Sequence, residues 1–335
     1  MSAISENEYR YNATMKLFPA AAEPAFESPE QQTALWGRKW GCDNDVGKLR
    51  MVLMHCPGDE LKIVDPQKRI PEINSFGDVE QGWFWRGDTL PPLDVLQAEH
   101  DALVKLLQDE GVEVVMVDGV GKDRMKSCYT RDSMIAVKGG AIVPRLGPKI
   151  RRGEEVQSYR TISQLGMPVL RTIHGSGLME GGSFMWLDSK TAVVSRSTRG
   201  NEEGARQIEE VLNAQGVELM RVDVTGYRLH IDGMIVMLDV DKAIINPSQL
   251  PFWFLGELDR RGIRTVSVRP EDPVSTVNCL AIAPSRVVMS EGVGERTLEE
   301  LDKLGVTVLQ TPYNNMYLGG GGIHCSTAPL IRDSV

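Results

Sequence analysis

The sequence has few cysteines and no pair of them spaced like metal ligands. Five cysteines stand among 335 residues, at positions 42, 56, 128, 279 and 325. An odd number of widely spaced cysteines argues against a disulfide framework, and the absence of a CxxC pair argues against a zinc site. We therefore expect free thiols and a reducing, cytoplasmic compartment.

Long apolar runs and an excess of basic residues are also missing. No run approaches the roughly 20 apolar residues that a membrane span needs. Residues 1–30 lack the basic start and apolar core that are typical of a signal peptide. Lysine and arginine number 37 against 46 acidic residues, so the net charge is −9. Because phosphate binding needs clustered basic residues, no nucleic-acid partner is expected, whereas a cationic small molecule suits this charge.

A pattern of helix, glycine and apolar strand occurs five times. The helices are predicted to bury one face, as the spacing of Leu103, Leu106 and Leu107 indicates for the first of them. A glycine follows each helix, which predicts a left-handed cap. The predicted segments are 99–117, 159–173, 205–222, 252–268 and 297–309.

Pairs of short apolar runs around a turn precede the last four helices, with starts near residues 134, 184, 235 and 280. Their period of roughly 45–50 residues indicates a repeat or propeller architecture. The first helix has a single preceding strand, 51–55, so we expect the strand at 323–329 to be its partner. The sequence thus predicts an α/β fold, a five-bladed propeller of ββαβ repeats closed by pairing of its N- and C-terminal strands. An open doubly wound sheet is the weaker alternative, because hairpins separate the helices.

Polar residues concentrate in the loops after the third strands, which would meet at one end of such a ring. These loops are 128–132, 174–183, 229–233, 269–278 and the glycine-rich loop that ends at Cys325. Glycines 319–322 would let a ligand approach the backbone closely. A flexible turn with Cys325 as a small buried apolar residue is the plainer interpretation. Carboxylates, a histidine and a cysteine recur at matching positions, which favours a functional site.

Several motifs carry a resemblance to a known superfamily. They are 44–55 (NDVGKLRMVLMH), 130–132 (TRD), 180–182 (EGG), 197–201 (STRGN), 230–232 (HID) and 320–325 (GGGIHC). In this order they resemble the guanidino-group-modifying superfamily, which has the pentein fold, and within it arginine deiminases and dimethylarginine dimethylaminohydrolases. The resemblance implies a single catalytic domain over 41–335, with residues 1–40 as an N-terminal extension.

Two departures bear on the substrate. Segment 118–126 is too short for the helical insertion of arginine deiminases, which favours the compact dimethylargininase-like form. Ser183 follows the EGG motif where deiminases usually carry aspartate, so arginine itself is not established as the substrate.

The resemblance also implies roles for individual residues. Cys325 would be the nucleophile and His230 the general acid and then base, with Glu180 orienting His230. Asp132 and Asp232 would hold the guanidinium nitrogens by charge-assisted hydrogen bonds. The remaining predicted substrate-binding residues are Arg199, for a carboxylate, together with Ser183, Arg131 and Gly322. No metal or cofactor is implied.

Other residues near these motifs have a structural alternative. Arg151 and Arg152 are further candidates, with a surface position as the alternative. His174 and His324 are expected to be structural, since the side chain of His324 would point to the opposite strand face from Cys325. The aromatic cluster 83–85 is either a lid over the site or ordinary packing.

These residues predict a hydrolase acting on a C–N bond of a cationic guanidino, or related amidine or ureido, small molecule. A covalent Cys325 intermediate would release ammonia or an alkylamine and leave a ureido product such as citrulline. An amidinotransferase with the same site is the alternative. Non-catalytic, ribosome-binding penteins are a remote alternative, because they lack the cysteine–histidine pair. A homo-oligomer, dimer or tetramer, is expected.

Overall fold

The computed structural model describes residues 4–20, 28–122, 124–224 and 227–335. Two short helices and a strand open the chain, followed by a small antiparallel sheet and the first long helix with its strand. Their bounds are α1 Glu6–Tyr11, α2 Pro29–Trp36, β1 Leu49–Met54, β2 Arg69–Ile70, β3 Ser75–Asp78, β4 Trp83–Arg86, α3 Leu93–Asp109 and β5 Glu113–Met116. Within the described ranges, no helix has the length and apolar character to cross a membrane.

Four units of one plan follow: an antiparallel hairpin, a helix, and a third strand parallel to the second. The second unit is β6 Ile135–Val137, β7 Gly140–Val143, α4 Glu154–Gln164 and β8 Val169–Thr172. The third is β9 Phe184–Asp188, β10 Thr191–Arg196, α5 Glu202–Ala214 and β11 Glu218–Asp223. The fourth is β12 Ile235–Asp239, β13 Lys242–Ile245, α6 Phe252–Arg260 and β14 Arg264–Ser267. The fifth is β15 Leu280–Ala283, β16 Arg286–Ser290, α7 Glu295–Lys303 and β17 Thr307–Thr311.

The last strand completes the first unit. After the short helix α8 (Asn314–Tyr317), β18 (Ala328–Arg332) runs antiparallel to β1, which is parallel to β5. The predicted pairing of the two terminal strands is therefore confirmed. The strand starts at Ala328 rather than at the predicted residue 323, because residues 323–326 form turns. In these turns Thr327 donates its backbone N–H to His324 and its hydroxyl to Ile323.

The glycines that follow the five long helices have the predicted left-handed conformation. Their φ angles lie between +70° and +85°, at Gly111, Gly166, Gly216, Gly262 and Gly305. Each helix ends at this cap because glycine has no Cβ to clash there. The starts were less predictable: α3 begins at Leu93 instead of residue 99.

Buried apolar clusters join neighbouring sheets through the central strand of each. Successive residues of a strand point to opposite faces, so adjacent valines enter different clusters. Met51 shares a cluster with Ala141, Ile142 with Val194, Val193 with Ile244 and Val287, and Val288 with Val52. The apolar contacts thus connect the second unit to both the first and the third, and the fifth unit back to the first.

Candidate active site

The repeat brings the predicted catalytic residues to one place. Each lies just before the first strand of a unit: Asp132 before β6, Glu180 before β9, His230 and Asp232 before β12, and Cys325 before β18. Two adjoining cavities, of about 100 and 320 Å³, meet at this point. Both cavities are lined by Phe84, Leu229, His230, Gly320, Gly321 and Cys325.

Cys325 is held by an asparagine that the sequence did not single out. Nδ2 of Asn278 donates to the Cys325 Sγ at 3.1 Å, and Oδ1 of Asn278 accepts the Cys325 backbone N–H at 3.2 Å. Oδ2 of Asp232 lies 3.5 Å from the same sulfur. Burial, followed by the charges of Asp232 and Asp132, raises the pKa of the Cys325 thiol well above its ordinary value. The free site therefore holds a neutral thiol at neutral pH.

His230 lies between two carboxylates. Its Nε2 is 2.7 Å from Oε2 of Glu180, and its Nδ1 is 3.6 Å from Oδ1 of Asp132. Burial lowers the pKa of His230, but Asp132 and Glu180 outweigh this and bring it to about 9. Burial also opposes ionisation of Glu180, yet the hydrogen bond from His230 holds the pKa of that carboxyl well below its usual range. At pH 7 the pair is an imidazolium and a carboxylate.

Asp232 is fixed by His324. Nδ1 of His324 lies 2.9 Å from Oδ2 of Asp232, the oxygen that also faces Cys325. Burial opposes ionisation of Asp232, but the bond to His324 outweighs it and lowers the pKa of the carboxyl. The sequence predicted only packing for His324, on the opposite face of a strand from Cys325. Because residues 323–326 turn instead, both side chains reach Asp232.

Arg151 neutralises the carboxylates on the other side of the site. It is buried, and its Nη1 donates to Oδ2 of Asp132 at 2.6 Å and lies 3.8 Å from Glu180. Its Nη2 donates to Glu154 at 2.7 Å. Oδ1 of Asp132 accepts the backbone N–H of Gly182 at 3.1 Å. The surface alternative for Arg151 is therefore wrong, while Arg152 bonds only to loop carbonyls of residues 146 and 147 among its described partners.

The four glycines at 319–322 are required by the packing of neighbouring side chains, as well as by the close approach of a ligand to the backbone. A Cβ on Gly319 would collide with the hydroxyl of Tyr129, and one on Gly321 would lie 2.7 Å from the Tyr129 ring. A Cβ on Gly322 would lie 2.7 Å from Oδ1 of Asn278, the atom that holds the Cys325 backbone. Gly320 has a φ of +114°, which favours glycine. The run lets the side chains of Tyr129 and Asn278 pack against the turn that presents Cys325.

The other predicted substrate-binding residues differ in where they lie. Arg199 lines the smaller cavity, and its Nη1 is 3.3 Å from Oε1 of Glu180. Arg131 lies behind the nucleophile, where its backbone N–H donates to the Cys325 carbonyl at 2.9 Å. Ser183 and Gly322 are buried, and neither is among the described residues that line the two cavities. Direct substrate contact by these residues stays a prediction.

Asp132, Glu180 and His230 also form a group whose ligand atoms lie within 4.8 Å of one another. Such a trio could hold a metal ion in principle. Here Glu180 is bonded to His230 and Asp132 to Arg151. A protonated imidazole has no lone pair for a metal, so the trio is better suited to holding and moving a proton.

Asn278, Arg151 and Phe84 belong to this site in the structure, although the sequence did not single out Asn278 and left Arg151 and Phe84 open. Asn278 precedes β15, the same place in the repeat that Asp132 occupies before β6, so the repeat itself could have identified it. In the aromatic cluster, Trp83 and Trp85 are buried in the core while Phe84 lines both cavities. Alternation along β4 explains this split, since neighbouring strand residues face opposite ways.

Comparisons with known proteins agree with this geometry. A sequence model of the family described as N,N dimethylarginine dimethylhydrolase, eukaryotic, matches residues 94–332. The dimethylarginine dimethylaminohydrolase of Pseudomonas aeruginosa is 24% identical over 230 residues, covering 68% of this chain and 85% of the relative. An arginine deiminase of Rhodococcus jostii is 23% identical over an alignment of 409 residues, covering 88% of this chain and 97% of the relative.

Solved structures share the fold. The P. aeruginosa dimethylarginine dimethylaminohydrolase complexed with citrulline superposes with a TM-score of 0.66 at 20% identity, over 84% of this chain and 99% of that one. The N-terminal domain of ArgZ, an arginine dihydrolase of cyanobacteria, bound to its product, gives 0.70 at 16% identity, over 85% and 98%. SxtG, an amidinotransferase from Microseira wollei, gives 0.69 at 14% identity, over 89% and 98%. Since the family match includes every site residue from Asp132 to Cys325, the chain belongs to the family of N,N dimethylarginine dimethylhydrolases, enzymes that hydrolyse a C–N bond of a guanidino group.

Proposed function

We propose that this protein hydrolyses a C–N bond of a guanidino small molecule through a covalent intermediate on Cys325. The observation that carries the proposal is that Cys325 and His230 line the same two cavities, with a carboxylate on either side. Asp132 lines one cavity and Asp232 the other. A planar cation between these carboxylates would place its central carbon at the sulfur.

Substrate binding prepares the nucleophile. Asp132 and Asp232 would each accept N–H groups of the guanidinium, since a carboxylate has about four acceptor positions. The positive charge of the substrate offsets the two carboxylates that disfavour the thiolate, so the thiol of Cys325 ionises more easily once the substrate is bound. Its proton passes to Asp232, whose Oδ2 lies 3.5 Å from the sulfur, and then to solvent.

The first half-reaction forms a C–S bond and breaks a C–N bond. The thiolate of Cys325 attacks the central carbon, and the imidazolium of His230 protonates the departing nitrogen. Because Nε2 of His230 is bonded to Glu180, Nδ1 is the nitrogen left to donate. Ammonia or an alkylamine leaves, and a thiouronium group remains on the cysteine.

The second half-reaction returns the enzyme to its starting state. Neutral His230 takes a proton from water, and the hydroxide formed adds to the thiouronium carbon. The C–S bond then breaks and the proton of the added hydroxyl passes to the sulfur, which releases a ureido product and restores the thiol of Cys325. One guanidinium and one water give one ureido compound and one ammonium or alkylammonium ion, so no further reactant is needed.

Product analysis tests this reaction. We expect incubation with L-arginine, asymmetric dimethylarginine and simpler alkylguanidines to yield a ureido product, with one ammonia or alkylamine per turnover in at least one case. Mass spectrometry and an ammonia assay measure both products. An amidino group recovered on added glycine, without ureido product, would establish the amidinotransferase instead. Failure to turn over any guanidino compound, whatever the charge at its far end, would contradict both.

We also propose that the sheets of the five units are the blades of a five-bladed propeller, with 41–335 as the catalytic domain and 1–40 as an extension. Two observations support this arrangement. Buried apolar clusters connect neighbouring units and also connect the fifth unit to the first, and β1 pairs with β18. Trp40 and Gln32 are buried, so the end of the extension rests on the domain. Limited proteolysis should leave one stable fragment that starts within residues 1–40. Early cleavage between two of the units would contradict a single domain.

The cellular setting stays a prediction. All five cysteines are free, which supports the proposed reducing, cytoplasmic compartment. The proposed homo-oligomer, a dimer or tetramer, rests on the resemblance to the superfamily.

A further inference from the structure

The cavities that meet at Cys325 carry more cationic than anionic side chains, although the proposed reacting group is itself a cation. The cationic side chains are Lys126, Arg151 and Arg199 in the smaller cavity and Arg86 and Arg228 in the larger one. Among the described residues that line the cavities, the carboxylates are Asp132 and Asp232 alone. The charged side chains that line the cavities are therefore cationic in excess.

Both of these carboxylates belong to the reacting centre. Asp132 lies 3.6 Å from His230 and is bonded to Arg151, while Asp232 lies 3.5 Å from Cys325 and is bonded to His324. Once they hold a guanidinium, no lining carboxylate of the described residues is left for a second cation. A substrate ammonium in these cavities would lose its water without gaining an anionic partner.

Lys126 differs from the arginines of the smaller cavity. Arg151 is neutralised by Asp132 and Glu154, and Arg199 lies 3.3 Å from Glu180. The described hydrogen-bond acceptors of Lys126 are two backbone carbonyls, that of Phe84 at 3.0 Å and that of Gly319. Neither carbonyl cancels its charge.

The position of Lys126 suits it for binding a ligand. Its Nζ lies 4.3 Å from the centre of the Phe84 ring, and Phe84 lines both cavities. An ammonium has three N–H donors, and two are taken by the carbonyls, so one remains for a ligand. Burial lowers the pKa of Lys126 to about 7, and an anion beside it would hold its proton in place.

Resting on the proposed hydrolysis, we propose that the substrate is a guanidino compound whose far end is a carboxylate and carries no ammonium, and that Lys126 binds this carboxylate. The guanidinium would lie between Asp132 and Asp232, and the carboxylate would lie against Lys126 with Arg199 beside it. An α-amino acid such as arginine would leave its ammonium without a carboxylate among the described residues that line the cavities. The substrate class is thus that of the guanidinoalkanoates.

Three compounds with one guanidino group and chains of matched length test the class. At the end away from the guanidino group, 5-guanidinopentanoate carries a carboxylate, L-arginine carries a carboxylate and an ammonium, and agmatine carries an ammonium. We expect kcat/KM for 5-guanidinopentanoate to exceed that for arginine at least ~10-fold and that for agmatine ~100-fold, because each unpaired buried ammonium costs binding. Equal or better turnover of arginine or agmatine overturns the proposal but leaves the hydrolysis standing. Absence of a ureido product from all three overturns both.

The Lys126→Met variant tests the residue. We expect its kcat/KM for 5-guanidinopentanoate to fall ~100-fold, mainly through KM, while that for agmatine changes little, so the preference collapses. Lys303→Met, at an exposed lysine of α7, is the control and should behave as wild type. An equal loss for both substrates would show a structural role and overturn the assignment. Calorimetry on the Cys325→Ser protein, which keeps Lys126, should show tighter binding of 5-guanidinopentanoate than of agmatine, and the reverse order overturns the class.

Discussion

Replacing Cys325 with serine should lower kcat at least ~10⁴-fold, because no other cysteine is among the described residues that line the two cavities. A serine hydroxyl ionises far less readily than a thiol, and two carboxylates already disfavour an anion at this position. His230 carries a proton at neutral pH and cannot serve as the base for the hydroxyl. Single-turnover assays of ureido product measure the loss.

Substrate binding should survive this change. The groups that would hold the guanidinium, Asp132 and Asp232, are untouched, and a hydroxyl can still accept the hydrogen bond from Asn278. Calorimetry with the best substrate of the panel should give a Kd within ~10-fold of the wild-type KM. Intact-protein mass spectrometry of wild type under turnover should show an adduct on Cys325, and the variant should show none.

Cys56→Ser is the matched control for this experiment. Cys56 is half-buried and is not among the residues that line the two cavities. Burial raises the pKa of its thiol to about 11, so it is no nucleophile at neutral pH. The control should keep wild-type kcat. If Cys325→Ser keeps more than 1% of the wild-type kcat while Cys56→Ser keeps all of it, Cys325 is not the nucleophile.

The repeat was predictable because its signals are local. A left-handed glycine such as Gly111 or Gly262 ends each long helix for a steric reason that acts within a few residues. The segment between β1 and α3 was not predicted, because β2, β3 and β4 are only two to four residues long. Strands this short give little alternation to count. Their packing depends on contacts such as that of Trp85 with the core, which sequence does not show.

The catalytic residues were predicted from sequence motifs. The residues that hydrogen-bond to those motif residues from elsewhere in the chain were not predicted. Asn278 lies 47 positions from Cys325, yet it holds that residue through both backbone and sulfur. Arg151 likewise joins Asp132 to Glu154, and nothing in a run of basic residues distinguishes a buried arginine from an exposed one. Contacts of this kind form only when the folded chain brings the units together, so the order of residues in the sequence does not show them.

Protonation states could not be predicted either, because they follow from burial. The same carboxylates that favour a proton on His230 also favour one on Cys325. The resting site is therefore a thiol beside an imidazolium. This makes arrival of a cationic substrate the event that activates the nucleophile.

Glu180→Gln should weaken the acid that drives the first half-reaction. In wild type, kcat/KM should fall as pH rises through about 9, where His230 loses its proton. A glutamine can accept the backbone N–H of Gly147 through its oxygen, as Oε1 of Glu180 does at 2.9 Å. Its NH₂ group then faces Nε2 of His230 and favours the neutral ring. The alkaline limb should move down towards the ordinary histidine pKa of about 6.5, and kcat/KM at pH 8 should fall by up to ~30-fold, because the protonated fraction of His230 drops from about nine-tenths to about one-thirtieth.

The same substitution should destabilise the fold in a pH-dependent way. Removing a buried charge that faces His230 and Arg199 costs about 3 kcal/mol of unfolding free energy. Because the pKa of His230 is raised and that of Glu180 is lowered, the pair stabilises the protein fully between about pH 4.5 and pH 6.5, and its contribution is lost as pH rises through about 9. The difference in unfolding free energy between wild type and variant should therefore shrink above pH 9.

The chain contains a matched control for this prediction. Glu60 is a second buried glutamate bonded to a histidine, with Oε1 3.2 Å from Nε2 of His55, and it lies outside the lining of the two cavities. Glu60→Gln should lower the unfolding free energy, measured by urea denaturation, but leave the alkaline limb of kcat/KM near pH 9. If both variants lose activity in proportion to their loss of stability, and the alkaline limb of kcat/KM stays near pH 9 in both, then Glu180 has a structural role only. If the alkaline limb of kcat/KM moves in Glu180→Gln and not in Glu60→Gln, the general acid of the first half-reaction is His230 paired with Glu180.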